Sequence, residues 1–351
     1  MEKYRAIDAD GHIMEHPAEI KEYLEPPFDR LTWTTFSMFP SVDGFVRGFS
    51  RPGEEDDPNA ERWLAFLDRC RIEETYIYPS TGLTCGLIQD REWAIALARA
   101  YNQWIYEKFM RVSPRLKAVA IIPIQDIPAA VAELRRAVTA FGMGGAVLPS
   151  VTISDKHYGH ADYDPLYAEA EKLGCGLAVH GTVSQRLGID ASTNFFKTQA
   201  LEHPLGQLIQ FTDMIAEGVF ERFPKLRVAF LEAGAGWVPY MMDRLDEGYE
   251  RRGQRWCRAL KKKPSEYVRS GNLFFTCEVE EKTLPYVLSI VGEDALFFAS
   301  DYPHERRRGE FESDIDRLLA REDITDRQKE KILYRNAERF YSGSQRGETR
   351  R

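Results

Sequence analysis

The chain has 351 residues, 43% of them hydrophobic, and a formal net charge of −8. It can bury a sizeable core, but its charge excludes broad attraction to nucleic acid or anionic membrane, and it contains no apolar run long enough to span a bilayer. Five cysteines, Cys70, Cys85, Cys175, Cys257 and Cys277, with no CxxC spacing, exclude a disulfide framework and a zinc ribbon and point to a reducing, cytoplasmic setting.

In chain order, the opening MEKYRAIDAD lacks the apolar run of a secretion signal and is expected to enter structure at once. Eight short, apolar, β-rich runs then recur: YRAIDAD (4–10), ETYIYPS (74–80), LKAVAIIP (116–123), GGAVLPS (144–150), GLAVHG (176–181), LRVAFLEAG (226–234), NLFFTCEV (272–279) and ALFFASDYP (295–303). Each has the pattern of a strand buried on both faces. Between them lie segments with helical spacing, at 92–109, 127–141, 165–173, 205–223, 237–249 and 326–341. The helix at 127–141 carries Pro128 near its start and stops before Gly142; the one at 165–173 stops before Gly174. Eight alternating units predict an α/β fold, a parallel (β/α)8 TIM-like barrel. A doubly wound sheet is the alternative, weakened by the lack of GxGxxG after the first strand. We expect one domain over residues 1–343.

Residues 16–60 interrupt this rhythm. They are long for a loop and rich in aromatics: Trp33, Phe36, Phe39, Phe45 and Phe49. An aromatic-rich insertion after the first strand is expected to cover the barrel mouth or to make a subunit contact. The polar tail, 344–351, is expected to be disordered. The lysine run Lys261-Lys262-Lys263 reads as a solvated face.

In a parallel barrel the C-terminal ends of all strands meet at one face, where active sites form. Asp10 and His12 lie at the end of the first strand, His180 at the fifth, Glu232 at the sixth and Asp301 at the eighth, with His304 just beyond. Asp10 and His12, two apart, point to the same side of an extended chain. Asp10, His12, His180 and Asp301 together offer two carboxylates and two imidazoles, a set suited to zinc, manganese or iron with a position left open for water. Glu232, His203 and His304 are possible ligands of a second ion, so one or two divalent metals per chain are expected. Asp8 is expected to pair locally, Glu15 to serve as a helix-start acid, and His16, His157 and His160 to be solvated loop residues. His203, in LEHPLGQ, either caps a helix or turns into the mouth.

Taken together, DADGHIME, AVHG, GVFERFPKLRVAFLEAGAGWVPYMMDRLDE, ASDYPHE and ILYRNAERFY resemble the amidohydrolase-related branch of the amidohydrolase superfamily, which includes metal-dependent non-oxidative decarboxylases. The resemblance covers nearly the whole chain. It implies a distorted (β/α)8 barrel, a metal set at Asp10, His12, His180 and Asp301, and a role for Asp301 in proton transfer. It also implies a homo-oligomer, expected to be a dimer. The chain departs from the family in one important respect: Glu232, in Glu232-Ala233-Gly234-Ala235-Gly236, stands where many of these decarboxylases have a histidine. The fourth strand, GGAVLPS, also lacks the lysine that bridges two metals in other members of the superfamily.

The leading expectation is therefore a metal-dependent hydrolase or carboxy-lyase acting on a small organic acid. Asp301, Glu232 and His203 would carry acid–base work, and Arg306 would bind a substrate carboxylate. The alternative is a non-haem dinuclear iron or mixed-metal oxygenase with Glu232 as a ligand. A non-catalytic partner subunit is disfavoured by the open character of the ligand set.

Overall fold

The computed structural model describes residues 4–30, 38–40, 59–182, 187–189, 195–304 and 311–342. Most of the expected lid (31–37 and 41–58), Arg306 and the tail from 343 onward lie outside the described residues.

Among the described residues, eight parallel strands form the wall of a barrel. They are β1 Ile7–Ile13, β2 Glu74–Pro79, β3 in two pieces (Leu116–Ala118 and Ala120–Ile121), β4 Gly145–Pro149, β5 Gly176–His180, β6 Arg227–Leu231, β7 Leu273–Cys277 and β8 Leu296–Phe298. Neighbours in sequence pair throughout. At the break in β3 the Val119 N–H still donates to Ile77 O, at 3.1 Å. The seam between β8 and β1 is closed just beyond β8, where Asp301 N–H donates to Asp10 O at 3.0 Å and His12 N–H to Tyr302 O at 2.7 Å. The strands are buried on both faces because helices cover the outside while apolar side chains fill the inside, which is why they read as continuous apolar runs.

The surrounding helices are α1 Ala60–Cys70, α2 Arg91–Ile105, α3 Ile127–Phe141, α4 Asp164–Leu173, α5 Phe195–Ala216, α6 Trp237–Trp256, α7 Leu284–Val291 and α8 Phe311–Ala320. Their beginnings follow local chemistry: Asn59, Asp90 and Asp126 each accept from a backbone N–H three residues on, at 2.9 Å. α3 and α4 end on Gly142 and Gly174 in the left-handed region, as the sequence predicts. α5 departs from expectation. It begins ten residues earlier than the predicted 205 and carries Pro204 in its interior. A sequence reading stops at such a proline because it removes a backbone donor; here the helix continues through it and carries His203.

One face of α1 buries Trp63, Phe66, Leu67 and Cys70. The ring of Tyr302 stacks on Phe66, with centroids 3.9 Å apart, and meets Trp63 edge-on at 4.8 Å. This anchors the chain directly after Asp301. Of the insertion, Met38 and Phe39 are buried, and Met38 O accepts from Trp93 Nε1 at 3.4 Å, so this short piece packs on α2. No helix among the described residues is long and apolar enough to cross a membrane.

Candidate metal centre and acid–base cluster

At the C-terminal mouth Asp10, His12 and His180 are fully buried. Both imidazoles donate from Nδ1 to backbone carbonyls: His12 to Pro79 O at 2.9 Å and His180 to Gly181 O at 2.7 Å. A carbonyl can only accept, so each ring keeps a proton on Nδ1 and turns Nε2 inward; burial pulls the His180 pKa down but Asp10 and Glu232 raise it, so its Nε2 would give up a proton to an incoming ion. His180 Nε2 lies 3.3 Å from Asp10 Oδ2, and His12 Nε2 lies 3.5 Å from Asp10 Oδ1. These two nitrogens and both Asp10 oxygens are buried without a hydrogen-bond partner. Buried polar atoms are rarely left this way. Four unpartnered polar atoms facing one another fit a divalent cation, and the N/O donor set suits zinc, manganese or iron.

Asp8 stands one step deeper and has a different surrounding. Its carboxylate accepts from Thr75 Oγ1 at 2.7 Å, Ser300 N at 2.8 Å and Ser300 Oγ at 2.9 Å. It ties β1 to β2 and to the segment after β8, a wider span than the local pairing expected.

A second group shares His12: Glu232, Asp301 and His304. Asp301 Oδ1 is 3.5 Å from His12 Nε2 and 3.0 Å from His304 Nδ1. Glu232 Oε1 is 3.8 Å from His12 Nε2. His304 has both ring nitrogens engaged, since Nε2 meets Ser80 Oγ at 2.6 Å; to ligate an ion it would have to release one of these bonds. Glu232 and Asp301 adopt φ of 61° and 50°. Left-handed backbone at a residue other than glycine is uncommon and concentrates at functional sites.

His203 turns into the mouth. From α5 its Nδ1 reaches within 3.1 Å of Glu232 Oε2, while Nε2 lies 3.3 Å from Glu202 Oε1. It passes over Gly181, where a Cβ would fall 2.0 Å from His203 Nδ1, so the close approach requires glycine.

The electrostatics follow these contacts. Burial alone would raise Glu232, but His203 and His180 hold it well below the usual carboxylate range. Burial pulls His203 down, yet Glu232 and Glu202 hold it well above the ordinary imidazole value. The pair is therefore carboxylate and imidazolium. Asp301 is pushed well up by burial and by the Glu232 charge. His304 is raised to about 10, because Asp301 and Glu232 outweigh its burial. Burial lowers His12, and it raises Asp10 to about 6. A bound cation would pull the ligating carboxylates back toward ionisation.

Ser80 escaped the sequence reading, and Glu15 has a different role from the helix-start acid expected. Glu15 does not start its own helix; it accepts from Ser80, Thr81 and Gly82 at the turn after β2. Ser80 directly follows a barrel strand, a position that could have been flagged. His157 and His160 are exposed, as expected, and His16 packs near Trp104.

The family model described as Amidohydrolase matches residues 7–343. The 2-amino-3-carboxymuconate-6-semialdehyde decarboxylase of Dictyostelium discoideum is 26% identical over 60% of this chain, and the match spans 57% of that protein. The gamma-resorcylate decarboxylase of Rhodococcus jostii is 27% identical over 69% of this chain and 76% of its own length. Among solved structures, a dihydroxybenzoic acid decarboxylase from Polaromonas, holding manganese and 2-nitroresorcinol, superposes with a TM-score of 0.74 over 97% of both chains at 18% identity.

Proposed function

The chain belongs to the amidohydrolase family and is a metal-dependent enzyme of that type, and from that premise we propose that it is a non-oxidative carboxy-lyase acting on a small, hydroxy-substituted aromatic or unsaturated carboxylic acid. The observation that carries this reading is the set of unpartnered polar atoms on Asp10, His12 and His180 beside the Glu232–His203 ion pair. We assign the ion to Asp10, His12, His180 and Asp301. When bound, it would hold and polarise the acid group and its neighbouring hydroxyl.

The chain's own groups then divide the remaining work. Removal of carbon dioxide leaves an electron pair on carbon, which must take up one proton. The Asp301–His304 pair holds that proton at the mouth. Glu232, kept ionised by His203, cannot donate; its charge keeps His203 cationic at the mouth. The five free cysteines, four of them buried, support a reducing, cytoplasmic setting, and a dimer is proposed with it. The relatives named above are decarboxylases and lend no support to an oxygenase.

The test is chain loaded with manganese or zinc and offered 2,6-dihydroxybenzoate and related ortho-hydroxybenzoates, with released carbon dioxide measured in air and without oxygen. Equal, metal-dependent release in both is expected, and His180→Ala should abolish both metal content and release. Turnover of esters or lactones without release from any acid would make it a hydrolase instead.

A further inference from the structure

The turn after β2 is held with more care than a connecting loop requires. Glu15 receives four hydrogen bonds there: from the N–H groups of Ser80 and Thr81 at 2.9 Å, of Gly82 at 2.8 Å, and from Thr81 Oγ1 at 2.7 Å. Further along, Thr182 Oγ1 donates to Leu83 O at 3.0 Å, and Gln125 Nε2 to Cys85 O at 2.7 Å and Ile88 O at 3.0 Å. Residues following β1, β3 and β5 thus fix one short segment. Its side chain aimed at the site is Ser80, whose Oγ lies 2.6 Å from His304 Nε2. The other nitrogen of that ring is on Asp301 Oδ1 at 3.0 Å.

We propose that Glu15 and Ser80 are positioning residues for the reacting end of the site: Glu15 fixes the turn, the turn aims Ser80 at His304, and His304, pinned at Nε2, keeps Nδ1 on Asp301 and so sets how that carboxylate faces the metal. The ring has a free axis about its Cβ–Cγ bond, and one hydrogen bond alone does not fix it. With both nitrogens bonded to partners on separate elements, the ring plane is defined, and the rotation of the Asp301 carboxylate with it. The relay rests on the assignment of Asp301 to the metal set.

The test uses cobalt(II)-substituted protein, because its visible absorption reports ligand geometry without needing a substrate. Ser80→Ala should keep one cobalt per chain and an unchanged melting temperature, yet shift the visible bands. Ser80→Thr, which retains the hydroxyl, should return them. Where an acid substrate is in hand, Ser80→Ala should lower kcat about 10- to 100-fold with KM changed less than twofold. Glu15→Gln should move the bands in the same direction, since its amide would oppose the donors of the turn. If that variant fails to fold, Ser80→Ala still decides. Bands and kcat of Ser80→Ala identical to the parent would overturn the relay while leaving the carboxy-lyase reading intact. A chain that takes up no cobalt would sink the metal assignment, and the relay with it.

Discussion

Nδ1 of His203 lies 3.1 Å from Oε2 of Glu232. An imidazole on the helix after β5 thereby meets the carboxylate at the end of β6, and the mouth regains the cationic ring that its sixth strand does not carry. The pair is doubly anchored, by Glu202 on one side and by the approach of His180 Nδ1, 3.7 Å from Glu232, on the other.

Glu232→Gln removes the charge and keeps the shape. Turnover should fall about 10- to 100-fold, the range for losing a partner that orients and charges another group of the site, while metal content stays at one ion per chain. Metal analysis beside kinetics checks this; loss of the ion would make Glu232 a ligand instead.

Gly181→Ala reaches the same pair by steric means. Its new Cβ would fall 2.0 Å from His203 Nδ1 and 2.7 Å from Cγ, so the ring must leave. The variant should copy the turnover loss of His203→Ala, and adding His203→Ala to it should cost little more. Kinetics of the two single variants and the double variant provide the measurement.

Asp10 gives a pH signature in metal-free protein. Burial raises it from 3.8 to about 6. The folded state therefore holds a proton that the unfolded chain has released, and this contribution to stability is present at low pH and lost as pH rises through that window. Compared with Asp10→Asn, the metal-free parent should lose stability between about pH 4 and 6 and run parallel above. Metal binding should weaken as pH falls below about 6, because protons compete for the same carboxylate. Urea melts of both proteins across this range test the first statement, and titration calorimetry tests the second.

Asp8→Ala leaves Thr75 Oγ1, Ser300 N and Ser300 Oγ buried without their acceptor. We expect a loss of about 3 kcal/mol or more, from charge-assisted bonds and stranded donors, read as a lower urea midpoint.

Much of this was legible because the barrel writes itself locally. Strands buried on both faces must be apolar along their length, and polar side chains at their C-terminal ends stand out against that background. Asp10, His12, His180, Glu232 and Asp301 were found in this way, and the structure brings them together. The remainder depended on relations between distant segments. Glu15 looks like a helix-start acid because Pro17 follows it closely, and nothing nearby reveals that its donors lie at Ser80–Gly82. Pro204 hid the true start of α5 and therefore the direction in which His203 points. Asp8 could be paired correctly only once Thr75 and Ser300 were known to flank it.

The left-handed backbone at positions 232 and 301 also limits which side chains those positions can take. Such a conformation admits Gly, Asn, Asp and His with little penalty, but is hostile to the branched Cβ of Val, Ile and Thr. The turn therefore edits the alphabet at these two strand ends before chemistry does. A saturation library at position 232 should return folded clones carrying histidine, and few carrying β-branched residues. Exchange of the carboxylate for an imidazole would be a single step within the same backbone.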